Sequence, residues 1–244
     1  MSPENTTPIE KNALDAYLNE LAKEYKKCGG RKMPIEIILV GGAAILGRYD
    51  FRTMSADIDA CGQLPEALLD AARRVGQRHG FGDDWFNHDF MRTTSYTPRL
   101  YRHATYYKTF AQVLTVRVIE AEYLIAMKLR AGRKYKHDLS DVIGILAAHE
   151  QKGTPLTLAQ IDKAVDDLYE GWEDFPEDSR IFIQNALAHG NFEQVYRTIQ
   201  SEEQTAKELL VAFEQQYPNV TTQDNVADIL QALKNKQRKG GEAP

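Results

Sequence analysis

The run MPIEIILVGGAAILG, residues 33–47, constrains the fold more than any other stretch of the chain. Ile35, Ile37, Ile38, Leu39 and Val40 make a short apolar strand rich in β-branched residues, of the kind that is buried on both faces. It runs directly into Gly41-Gly42. Two glycines between a strand and a helix permit close backbone approach, free N–H groups and positive φ. At a helix N-terminus such N–H groups form a phosphate site, although steric permission alone explains many pairs of this kind. No Walker lysine follows, which excludes a P-loop.

A little further on, Asp57 and Asp59 stand either side of Ile58. In a strand, residues i and i+2 share a face, so both carboxylates lie side by side while Ile58 turns to the core. Like charges a few ångströms apart repel unless a cation lies between them. An oxygen-preferring divalent ion, Mg²⁺ or Mn²⁺, is the usual solution. A strand edge with two solvated acids is the plainer alternative.

Around this centre the periodicity predicts a helix over 9–27, strands over 33–40 and 56–61, and a short helix over 43–47. An amphipathic helix over 64–80 has Pro65 near its start and Gly80 at its end. Residues 81–98 read as loop, and 99–119 as one or two strands ending in the alternating VLTVRVI. Only helical patterns follow, near 120–132, 138–151, 157–170, 178–189, 191–216 and 222–236, with 234–244 as a frayed tail. Strands confined to the first half predict an α+β domain over 1–152 and a helical domain over 153–244, divided near KGTPL at 152–156.

At 244 residues, 43% hydrophobic and 27% charged, the composition is that of an ordinary soluble globular protein. No apolar stretch is long enough to span a bilayer. The N-terminus has neither a basic nor an apolar leader region, so secretion is not expected. Cys28 and Cys61, the only cysteines, make no disulfide framework and lack metal-ligand spacing. A reducing cytoplasm is the expected setting. The net charge of −5 hides an asymmetry: residues 90–137 carry ten Lys/Arg against two acids, and residues 153–226 fourteen Asp/Glu against four Lys/Arg. The basic part would attract phosphates and the acidic part repel them, unless both are simply solvated helix faces.

The glycine pair, an apolar helical turn and Ser55-x-Asp57-Ile58-Asp59, in that order, resemble the nucleotidyltransferase superfamily with its polymerase-β-like fold. Within it the pattern is similar to that of the AbiEii-type toxins and related uncharacterised bacterial nucleotidyltransferase-like domains. Val40, Gly41, Gly42, Ala44, Ser55, Asp57, Ile58 and Asp59 follow that pattern, and Arg52 stands one position away from the family's arginine, where this chain has Thr53. A second block, IEAEYLIAMKLRAGRKYKHDLSDVIGIL, resembles the downstream helix pattern through Lys128, Ala131, Arg133, Asp138 and Asp141. Taken alone, Lys128 reads equally as a snorkelling surface lysine and Asp138 as an N-cap. DDWFNHDF is similar to a W-L-N-D element of these relatives, with Trp85 and Phe86 expected to pack; Asn87, His88 and Asp89 are candidates to line a cleft, although a lone histidine in a loop is usually just exposed.

The resemblance implies that Gly41, Gly42 and Ser55 hold an NTP triphosphate, with Arg52, Lys128 and Arg133 as further nucleotide-binding residues. Asp57 and Asp59 would hold Mg²⁺ or Mn²⁺, Lys128 would neutralise phosphate charge, and Asp138 or Asp141 would orient a cation or act as base. NMP transfer to an acceptor hydroxyl is the implied activity, with RNA, tRNA especially, as acceptor. A toxin–antitoxin or phage-defence pair is the implied setting, with an antitoxin as candidate partner of the acidic C-terminal third. RLYRHATYYK, 99–108, interleaves bases and aromatics as nucleic-acid surfaces often do, and as a half-buried strand also does. Active members of the superfamily usually add a third carboxylate on a later strand. VLTVRVI offers Thr115 and Arg117 there, leaving Asp83, Asp84, Asp89 or Glu120 as substitutes. The alternative is therefore a weak or inactive nucleotidyltransferase-fold protein that binds a nucleotide, RNA or protein partner.

Overall fold

In the computed structural model, which describes residues 7–222 and 225–240, the strand that opens the argument is the middle of a five-stranded mixed sheet. β2 (Ile35–Leu39) lies antiparallel to β4 (Ile58–Cys61) on one side and parallel to β7 (Leu114–Ile119) on the other. β5 (Phe86–Asn87) adds in parallel beyond β4, and β6 (Ala104–Phe110) closes the opposite edge antiparallel to β7. Ile37, Ile38, Leu39 and Val40 are all at most 1% exposed, as a central strand covered on both faces requires. The fold is α+β, with the sheet in the first half and helices alone after Ile119.

The sheet's connections follow the sequence signals closely. α3 (Glu66–His79) begins after Pro65 and ends at Gly80, whose φ of +68° is the left-handed C-cap that favours glycine. It packs against α1 (Leu14–Lys27), which buries Leu14, Leu18 and Leu21. α1 is shorter than the predicted helix over 9–27: Ile9–Glu10 instead form β1, paired antiparallel with β3 (Met54–Ser55). Pairing Ile9 with Ser55 buries Ile9 completely, a tertiary gain that outweighs continuing the helix by one turn. α2 (Gly41–Arg48) starts directly after Val40, so both glycines lie inside its first turn rather than in a preceding loop.

The β6–β7 hairpin turns on Ala111 and Gln112, with φ of +47° and +62° and a Val113 N–H donating to the Phe110 carbonyl at 3.1 Å. Two positive φ values are what a tight primed hairpin turn demands.

α4 (Ala121–Ala131), α5 (Asp138–Gln151), α6 (Leu158–Tyr169), α7 (Asp178–His189), α8 (Phe192–Gln216) and α9 (Val226–Gly240) complete the chain. Thr157 and Gln160 form a capping box on α6. The last helix reaches Gly240, so 234–240 of the expected frayed tail is helical, and 241–244 lies outside the described residues. One cluster of buried side chains runs from Ile9 through the sheet to Ile161, Ile183 and Phe192, across the expected boundary at 152–156. The two charge-biased regions also meet within the chain. Arg130 pairs with Asp174 at 3.3 Å, Lys134 with Asp178 at 3.3 Å, and Arg99 with Glu170. No helix among the described residues is long and apolar enough to cross a membrane.

Candidate functional site

The glycines and the aspartates meet where β2 and β4 lie side by side. The Val40 N–H donates to the Asp59 carbonyl at 3.1 Å, which brings Asp59 level with the entry to α2. Gly41 has φ of +57°, and a Cβ there would come 3.2 Å from Asp59 Oδ2. At Gly42 a Cβ would stand 2.4 Å from the Ser55 hydroxyl and 3.1 Å from the Arg52 guanidinium. Side chains at these positions would fill the space into which Asp59, Ser55 and Arg52 project. Among the described residues no side chain caps the first turn of α2, which leaves its leading N–H groups open to an anion.

Ile58 is fully buried and Asp57 and Asp59 are half-buried on either side of it, as alternation requires. The strand itself begins at Ile58, two residues later than expected, so Asp57 leads into it. Among the described residues, no side-chain donor bonds or ion-pairs either carboxylate. Burial pushes the Asp57 carboxyl up, against the opposing charges of Lys136, Arg52 and Lys128. Burial, then the charge of Asp57, pushes Asp59 up to about 6. Two hard oxygen donors of like charge side by side have the chemistry that Mg²⁺ or Mn²⁺ would accept.

Behind them lies a buried ionic lattice. Lys128, on α4, is 8% exposed and places its ammonium 3.0 Å from Asp138 Oδ1 and 2.8 Å from Asp141 Oδ2. Asp141 Oδ2 also accepts from Arg52 at 2.7 Å. Asp138 accepts from the Arg133 Nε at 2.7 Å, its Nη2 at 3.1 Å and its backbone N–H at 3.2 Å. Burial alone would lower the Lys128 ammonium, but Asp141 and Asp138 outweigh it and hold it above the usual lysine range. Asp138 would likewise be raised by burial, yet Lys128 and Arg133 hold it well below the usual carboxylate range. Asp138 is thus a poor base and a strong anchor.

The two glycines, Ser55, Arg52, both aspartates, Lys128, Arg133, Asp138 and Asp141 are therefore in one connected neighbourhood, whereas among the described residues no hydrogen bond or ion pair joins His88 or Asp89 to it. Arg52, despite its one-position offset from the family pattern, reaches Asp141. Trp85 and Phe86 pack as expected, at 2% and 3% exposure. Asn87 pairs in register with Asp59, but its amide serves a local turn, donating to the Asp84 carbonyl and accepting from the Asp89 N–H. A third carboxylate does not arrive on β7. Leu39 is level with Ala60 and with Val118, so Asp59 is level with Ile119, an apolar and fully buried residue. Arg117 is turned to Glu36 and the carbonyls of Tyr101 and Ala104. Asp83, Asp84 and Asp89 are exposed, and among the described residues no group of three or more His, Cys, Asp or Glu could hold a metal ion.

Two residues went unnoticed in the sequence. Lys136 lies close enough to act on both Asp57 and Asp59, and only its place in a basic run marked it. Glu203, on α8, is 3% exposed and bonds the N-terminus of α5. Its signal was helical phase, since it falls in the stripe Tyr196, Ile199, Glu203, Ala206, Leu210 that faces the protein.

A small mixed sheet, a glycine-led helix at the end of its central strand and an aspartate pair on the neighbouring strand define a nucleotidyltransferase-like fold. Residues 16–149, more than half of the chain, match the family described as "Nucleotidyltransferase of unknown function (DUF6036)". The chain belongs to that family. No curated protein and no solved structure matches it.

Proposed function

We propose that the protein is a metal-dependent nucleotidyltransferase that moves NMP from an NTP to the hydroxyl of an RNA acceptor. The observation that carries this reading is the direct juxtaposition of Gly41 and Gly42 with Asp59, Ser55 and Arg52, where any Cβ would intrude. The α2 N–H groups and Ser55 bind phosphate oxygens, and Arg52 and Lys128 offset their charge from behind. Asp57 and Asp59 hold Mg²⁺ or Mn²⁺, which when bound would neutralise charge on the triphosphate and the developing transition state. The acceptor oxygen attacks the α-phosphorus in line, its bond to phosphorus forms as the bond to the bridging oxygen breaks, and pyrophosphate leaves. The acceptor's proton passes to solvent or to a carboxylate outside the Asp138 anchor. RNA as acceptor, tRNA especially, and a toxin–antitoxin or phage-defence role rest on the resemblance to AbiEii-type toxins.

The apolar Ile119 at the level of Asp59 favours a second reading, a nucleotide-binding protein with weak or no turnover. Label transfer separates the two. Each α-phosphate-labelled NTP is incubated with the protein, total tRNA and Mg²⁺ or Mn²⁺, beside an Asp57→Ala/Asp59→Ala control. Label on RNA that vanishes in the control supports the transferase. Metal-dependent nucleotide binding without label supports the second reading.

A further inference from the structure

α5 carries Asp138 and Asp141 in its first turn, yet no side chain of its own caps it. The residue at its N-cap is His137, and Asp138, the natural local candidate, is drawn away to Lys128 and Arg133. The exposed amides are taken instead by a residue more than sixty positions away. Glu203 Oε1 accepts from Leu139 N at 3.0 Å and Ser140 N at 3.2 Å, and Glu203 Oε2 accepts from the Ser140 hydroxyl at 2.5 Å. One turn-pair earlier on the same face of α8, the Tyr196 hydroxyl donates to the Phe51 carbonyl at 3.3 Å, and the two rings meet edge-on at 5.8 Å. The Phe51 ring fills the space over Gly144 of α5, where a Cβ would stand 2.5 Å from it, and Arg52 follows directly. α8 therefore holds the residues next to both partners of the Arg52–Asp141 pair, Phe51 on one side and Leu139-Ser140 on the other, from outside the matched region 16–149.

We propose that Glu203 is a positioning residue for the nucleotidyltransferase site: it caps α5 from α8, which frees Asp138 and Asp141 to hold Lys128 and Arg52 toward Asp57 and Asp59. This rests on the reading of the site given above, and its consequence is that the helices beyond residue 152 are part of the working site. A helix N-terminus without its anion loses both hydrogen bonds and favourable dipole interaction. Loss of Glu203 lets the first turn of α5 shift or fray, and Lys128 loses its fixed partners with it.

The test uses full-length Glu203→Gln and Glu203→Asp. The first readout needs no catalysis: the exchange rate of the Lys128 ammonium protons in ¹⁵N-resolved NMR, assigned by loss of the signal in Lys128→Arg. Glu203→Gln is expected to speed that exchange about tenfold while sheet amides such as Ile37 and Val116 keep their protection, with Glu203→Asp in between. The second readout is label transfer, where kcat falls about tenfold with the nucleotide KM little changed, and Glu203→Asp recovers part of it. Unchanged Lys128 exchange in a folded Glu203→Gln overturns the proposal, as does acceleration of sheet amides in step with Lys128. Should Glu203→Gln not fold, Glu203→Asp and Ser140→Ala decide it by the same comparison. Absence of label with wild-type protein would sink the transferase reading, while the Lys128 exchange would still decide the role of Glu203.

Discussion

Replacing Asp138 by Asn should be the most damaging isosteric change in the chain. The side chain is fully buried and joins Lys128 and Arg133 through four hydrogen bonds, one of them to the backbone of Arg133. Arg133 is 37% exposed on its side chain and can turn toward water, whereas the Lys128 side chain, 10% exposed, cannot. Lys128 is then left to share Asp141 with Arg52. Removing one member of a buried ion pair costs about 3–5 kcal/mol. For a protein of this size each kcal/mol lowers Tm by about 2–4 °C, so the loss should be roughly 6–20 °C. The pH dependence has a definite sign. The folded-state pKa of Asp138 is depressed, so its contribution is present above the ordinary aspartate pKa and fades as pH falls below it. Urea unfolding followed by circular dichroism at pH 7 and near pH 3 measures both quantities, and the gap between wild type and variant should narrow at the lower pH. A double-mutant cycle with Lys128→Met should show that the paired loss is smaller than the sum of the single losses. A single-variant loss under about 1 kcal/mol at pH 7, or strict additivity in the cycle, would refute the ionic lattice.

Three further outcomes are expected. Asp59→Asn should stabilise the metal-free protein by up to about 3 kcal/mol at pH 8 and hardly at all at pH 4: the raised folded-state pKa of about 6 means that stability is lost as pH rises through it, and Asn mimics the protonated acid. Thermal melts in chelator should show this, and the same variant should lose the melting-temperature increase that Mg²⁺ gives wild type. Gln112→Gly should raise stability by about 1 kcal/mol, because a β-hairpin turn residue at φ of +62° is strained unless it is glycine; an unchanged urea midpoint would contradict the assigned turn. Gly42→Ala should abolish nucleotide binding in a fluorescent-NTP titration and cost about 1–3 kcal/mol, since the new methyl group meets the buried Ser55 hydroxyl.

The elements that were legible are those whose signal is local. The buried strand at 35–39, the proline-to-glycine helix ending at Gly80 and the long helices of the second half carry their periodicity and caps in their own residues. The aspartate pair was legible because a buried Ile58 turns both of its neighbours to the opposite side. What escaped is what depends on distant partners. Ile9–Glu10 looks like the start of a helix until Ser55 is beside it. The β6–β7 hairpin turns on Ala-Gln, which lacks the Asn-Gly signature that would have separated the two strands. The basic and acidic regions read as separate surfaces, but Arg99, Arg130 and Lys134 pair with acids 71, 44 and 44 residues downstream. Glu203 sits in an acidic run and is disguised by Glu202, its exposed neighbour.

The cap on α5 also sets a timetable. Glu203 follows Ser140 by 63 residues, so a growing chain synthesises the glycine turn, both aspartates, Lys128 and α5 before the residue that caps α5 exists. At about 5–20 residues per second, that interval is roughly 3–13 s. For those seconds every group that would touch a nucleotide has been made, yet Leu139 and Ser140 have only water to accept from their amides. The nascent protein would stay idle until α8 has been made and docked, and a chain cut short before α8 would stay so permanently.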